Sequence, residues 1–171
     1  MIRTTHGALE RLVEAARRLP GAGAEALRVP TDVEVPASAP SAAELRKKVG
    51  ALLAMLSTRV EETLPAALEN ATRAWDQVDA IVVLDRKLRR EARGLLAGAA
   101  ALRASEDPAA RALGLEAALT LESAIGLCDL AERRTATLVR LRLEDSADLL
   151  PGGRPFLDLG AALAEAAREW S

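Results

Sequence analysis

Tyrosine is absent from this chain, and the other two aromatic types supply only Phe156, Trp75 and Trp170. Aromatic side chains are among those that strands favour, so their scarcity argues against a sheet. It also removes the stacking platforms on which single-stranded nucleic acids are held. Histidine occurs once, as His6, so neither a histidine metal cage nor a Ser/His relay has a second imidazole to use. Cysteine also occurs once, as Cys128, which excludes an internal disulfide and makes a reducing, cytoplasmic setting the expectation. The patterns GxGxxG, GxxxxGK[ST], HExxH and CxxC are all missing. The longest apolar run, Gly94 to Leu102, is bounded by Arg93 and Arg103 and is far too short to cross a membrane. The first twenty residues lack the apolar core of a signal peptide. Nor does either sign of charge dominate: the formal net charge is −2, with an isoelectric point near 5.6. No whole-protein field therefore draws nucleic acid or an anionic membrane. No catalytic residue, cofactor or metal site is expected, and the inventory points away from an enzyme.

What remains is helix-forming. The 171 residues include 37 Ala and 29 Leu, the two types at the head of the helix-propensity scale. The expected class is all-α: an antiparallel bundle of three to four long helices over 41–171, small contact faces allowing close packing. An additional N-terminal amphipathic helix is expected within 1–19, where Leu9, Leu12, Val13, Ala16 and Leu19 recur at helical spacing before Pro20-Gly21. It hangs on a tether, 20–40, that holds four prolines among Gly, Ala and Ser.

The body opens at Ser41-Ala-Ala-Glu44, a capping box. Leu45, Val49, Leu52, Leu56, Val60 and Leu64 then mark one face. Pro65 removes a backbone donor and crowds the preceding turn, so a turn or strong kink is expected within 63–74. An unbroken helix over 41–104 would span ~96 Å, too long for a compact domain. Ser105-Glu-Asp-Pro108 is a restart, with Asp107 as cap and Pro108 at the first helical position. Pro151-Gly-Gly-Arg-Pro155 is the last break. Beyond it Phe156, Leu159, Leu163, Ala166 and Trp170 share one side.

Residues 85–94, DRKLRREARG, hold five basic side chains. With Leu88 at zero and about 100° per residue, Ile81, Leu84, Ala92, Leu95, Ala99 and Leu102 fall within about 40° of it. Arg86, Arg89, Arg90 and Arg93 fall on the opposite side. Asp85 is placed to pair Arg89, but Arg86, Arg90 and Arg93 have no acid three or four residues away. Their partners must lie off the helix or in solvent. Residues 41–104 carry 11 basic and 8 acidic groups, whereas 105–171 carry 7 and 12. Glu116, Glu122, Asp129, Glu144, Asp145 and Asp148 are therefore the carboxylates available to face this helix. The acidic run Glu144-Asp145-Ser146-Ala147-Asp148 lacks the spacing of a calcium loop.

Two further patterns concern packing. Gly94-Leu-Leu-Ala-Gly98 is a small-xxx-small run whose glycines cost ~1 kcal/mol each against alanine, so a close helix crossing is expected to use them. Gly114 and Gly126 raise the same question on the next helix. That helix is apolar on two sides: Leu113, Leu121, Ile125, Cys128 and Val139 on one, Leu119, Leu127, Leu130 and Leu141 on another. Such a helix sits mid-bundle or lends a side to another chain. The functional expectation is a non-enzymatic helical interaction or assembly module: an adaptor, small subunit or homo-oligomer. Its partner is another protein or itself, and Leu119, Leu127, Leu130, Leu141 and Trp170 are the contact candidates. The alternative is an accessory subunit that lays Arg86, Arg89, Arg90 and Arg93 along a nucleic-acid backbone.

Overall fold

A computed structural model describes residues 39–66, 86–140 and 153–171. These residues are 90% helical, in four helices and with no strands. The expected N-terminal helix and most of its tether lie outside them. So do residues 67–85 and the acidic run 144–148.

Helix α1 is Ala42–Thr58. Ser41 caps it as the sequence suggests, its Oγ accepting from the Glu44 N–H at 3.1 Å. The carboxylate of Glu44 reaches forward instead of back, taking Lys48 Nζ at 2.6 Å one turn on. Pro65 neither ends nor visibly breaks this helix. The chain passes through a π-helical turn, Arg59–Thr63, in which the Leu64 N–H donates to the Arg59 carbonyl. Helical residues continue through 64–66. A proline ring crowds the carbonyl four residues back. Widening the turn just before Pro65 moves that carbonyl aside; the rest of the 63–74 window, from residue 67 on, lies outside the described residues.

Helix α2 is Arg86–Arg103 and α3 is Pro108–Arg140. Four residues join them, and the restart is built as read. The Asp107 Oδ1 accepts from the Ala109 N–H at 3.1 Å, and the Ser105 Oγ accepts from the Asp107 N–H at 3.2 Å. Helix α4, Arg154–Trp170, starts two residues ahead of the expected Phe156 and carries Pro155 in its first turn, where a missing N–H costs nothing.

The helices pack as two antiparallel pairs joined through α1. In the α2–α3 pair, Arg89 meets Asp129 at one end and Gly114 meets Ala99 and Arg103 at the other. In the α1–α4 pair, Arg46 Nη2 donates to the Glu169 carbonyl at 3.1 Å, and Ser57 Oγ donates to the Gly160 carbonyl at 2.9 Å. Gly50 and Gly160 allow this approach: a Cβ on Gly50 would stand 3.2 Å from the backbone of Ala167, Trp170 and Ser171. A Cβ on Gly160 would run into the Glu61 side chain. Helix α1 also touches α2 and α3, so one apolar cluster draws on all four helices. Trp170 is wholly buried at the foot of α4, with the Arg46 guanidinium 5.3 Å from its ring centre.

Candidate interaction surfaces

The contact candidates divide into residues the core absorbs and residues left outside. Trp170 is 0% and Leu127 1% exposed, so both fill the interior of this chain and neither offers a face to a partner. The Leu130 side chain and all of Leu141 lie outside the described part. Leu119 is 42% exposed and Leu115, one turn before it, is 46% exposed.

The reason is the width of the α3 contact arc. With Leu121 at zero and about 100° per residue, the buried positions run continuously from Ser123 near 200°, through Leu127, Thr120, Ala124 and Ala117, to Ala118 near 60°. Small side chains bridge the two leucine stripes into one surface, which α1 and α2 share. Leu127 belongs to that surface. Leu115, near 120°, and Leu119, near 160°, stand beyond its edge with exposed Ala112. Leu115 belongs to neither leucine stripe, although its place one turn from Leu119 is visible in the sequence.

This ridge is edged by charge. Arg111 is exposed at its N-terminal end. At its other end Glu122 is half-buried, and burial raises its carboxyl above the ordinary 4.5, the charge of Arg103 opposing this more weakly. Cys128, on the opposite side of α3, is fully buried.

The basic stretch on α2 proves heterogeneous. Arg89 leaves its own helix and pairs with Asp129 of α3 at 2.5 Å. Asp129 also receives Arg133 at 2.7 Å, so one carboxylate balances two guanidinium groups. The in-helix alternative, Asp85, is outside the described residues, as is the Arg86 side chain. Arg90 and Arg93 are exposed and make no ion pair among the described residues. The face thus offers two free cations there.

The glycine run also divides. Gly114 makes the close crossing: a Cβ there would stand 2.6 Å from the Ala99 carbonyl oxygen and 2.8 Å from the Arg103 nitrogen. Gly98 faces Pro40 and Leu45, and Gly94 faces open space, with nothing within 4 Å. Beside Gly94 an apolar groove of about 480 Å³ runs between α1 and α2.

Among the described residues, no three His, Cys, Asp or Glu side chains are grouped to hold a metal ion, and no helix is long and apolar enough to cross a membrane. No family model, curated protein or solved structure matches the chain.

Proposed function

We propose that the protein is a non-enzymatic helical interaction module, and that the α3 ridge seats the same ridge of a second copy. The observation that carries this reading is the pair Leu115 and Leu119, one turn apart and nearly half exposed, on a helix whose other described large apolar side chains, Leu113, Leu121, Ile125 and Leu127, join the core. Large apolar side chains grouped on a surface mark contact sites more often than chance scatter does. A ridge of this kind is self-complementary about a two-fold axis. Laid antiparallel on itself, it sets Leu115 against Leu119 of the second copy and Arg111 near Glu122 of the second copy.

The test is light scattering over the micromolar range. Wild-type protein should associate, and Leu115→Gln with Leu119→Gln should leave a folded monomer, because exposed substitutions of this kind alter stability by only about 0.5 kcal/mol. Arg111→Glu should weaken association, and adding Glu122→Arg should restore it. A monomeric wild type that melts cooperatively would remove the reading.

A second reading rests on Arg90 and Arg93, which are exposed on α2 and make no ion pair among the described residues. If they track phosphates, log affinity for mixed-sequence DNA or RNA should fall linearly with log salt. Replacing Arg86, Arg90 and Arg93 by Gln should then make that slope shallower by about two to three charges. Only two free cations among the described residues of this face, with no described aromatic beside them to stack a base, favour the first reading, in which the triple variant binds no less than wild type.

A further inference from the structure

The groove between α1 and α2 is walled by Leu52 and Met55 on one side and by Gly94, Leu95 and Gly98 on the other, with Pro40 at its end. Pro40 is also where the chain arrives at the body. Its ring lies across α2 at Gly98, with Cγ 3.0 Å from the place a Cβ would take. One turn along the same helix, Gly94 has no such cover. A glycine inside a helix costs ~1 kcal/mol relative to alanine. At Gly98 the cost is explained by Pro40. At Gly94 nothing in the described body explains it.

We infer that the groove is the seat of the chain's own N-terminal segment, 5–19, whose apolar stripe of Leu9, Leu12, Val13, Ala16 and Leu19 lies over Gly94. Three observations favour this occupant. The chain already covers the neighbouring glycine as it enters, so running back along the groove continues a contact that exists. The dimensions allow it: if helical, the segment would be ~22 Å long, enough to cover the ~15 Å groove wall from Leu45 to Met55 and extend past it. Residues 20–38 reach up to ~60 Å when extended, enough to reverse direction without strain. A segment so tethered has an effective concentration in the millimolar range, far above that of a second copy at micromolar protein. The groove shares no residue with the α3 ridge, so either assignment can fail alone.

The test places a reporter thiol on the groove wall of the full chain by Ala51→Cys, with Ala161→Cys on exposed α4 as control. Both positions are exposed in the described body. Labelling at position 51 should be at least about tenfold slower than at 161, corresponding to a closed-to-open ratio of about ten. Dilution through the micromolar range should not change it. Leu9→Asp with Leu12→Asp should raise the rate to that of the control. Gly94→Leu should do the same, since the open space beside Gly94 accepts the side chain and the seat is then filled. Helix content of each variant, by circular dichroism, verifies that the body stays folded. Equal rates at both positions from the start mean an open groove. Protection that falls on dilution assigns it to a second copy, and protection that survives both sets of substitutions assigns it to another segment. Each of these three results overturns the proposal.

Discussion

Glycines illustrate what a single residue position decides in this bundle. Helix propensity alone says that Gly114→Ala should stabilise α3 by ~1 kcal/mol. The structure reverses the sign. The new methyl would meet backbone, the Ala99 carbonyl oxygen at 2.6 Å and the Arg103 nitrogen at 2.8 Å, and backbone cannot swing away as a side chain can. Separating the two helices enough to admit it should cost about 1–3 kcal/mol, the usual range for overpacking. Denaturant unfolding of Gly114→Ala should therefore show a lower midpoint than wild type. An equal or higher midpoint would mean that the α2–α3 crossing is looser than described. The sequence showed that small residues were concentrated on these two helices. It did not show which of them faces a neighbour, because that depends on hairpin register. Gly50 and Gly160, which set the α1–α4 approach, open the equivalent runs Gly50-Ala-Leu-Leu-Ala54 and Gly160-Ala-Ala-Leu-Ala164, which nothing in the sequence separates from the run at Gly94.

For whole elements, the positions of the described helices were legible and the width of their contact faces was not. Ser41, Asp107 and Pro108 mark helix starts by chemistry that acts within one turn, so local sequence suffices to place them. Phe156, Leu159, Leu163, Ala166 and Trp170 form a single stripe and are all buried. Helix α3 was harder. Counting leucines yields two stripes, and one of them looks available to a partner. Ala117, Thr120 and Ala124 are buried between the stripes and join them into one arc. In a chain this rich in alanine, contact surface is carried by residues too small to stand out in a hydrophobic pattern, so the leucine pattern alone sets Leu127 apart from the core it belongs to. Pro65 is the complementary case. Its clash with the preceding carbonyl is legible in the sequence, but a π-helical turn and a break relieve that clash alike, and sequence does not choose between them. The basic stretch combines both situations. That Arg86, Arg90 and Arg93 lack partners on their own helix follows from spacing, while the choice of Asp129 for Arg89 required the antiparallel pair.

For the molecule as a whole, two of the described carboxylates couple stability to pH with opposite signs. Glu44 is held below its ordinary range by its hydrogen bond and charge pairing with Lys48. Its contribution is present above the unfolded pKa and fades as pH falls through the lower folded value. Glu122 is raised, chiefly by burial, so the native protein holds this proton more tightly than the unfolded chain does. Between the ordinary 4.5 and the raised folded value, the native state binds more protons, and stability falls as pH rises. Above that window the full penalty of a half-buried charge is present; below it there is none. Glu122→Gln removes the charge and keeps the shape. The comparison belongs on the Leu115→Gln, Leu119→Gln background, so that association through the ridge does not enter. There the Glu122→Gln variant should match its parent below the window and exceed it in stability at neutral pH. The Glu44 contribution is common to both and cancels. Chemical denaturation at a series of pH values reads the difference directly. A difference independent of pH, or one that favours the parent at neutral pH, would show that Arg103 outweighs burial and that the rim of the α3 ridge is built for a charge.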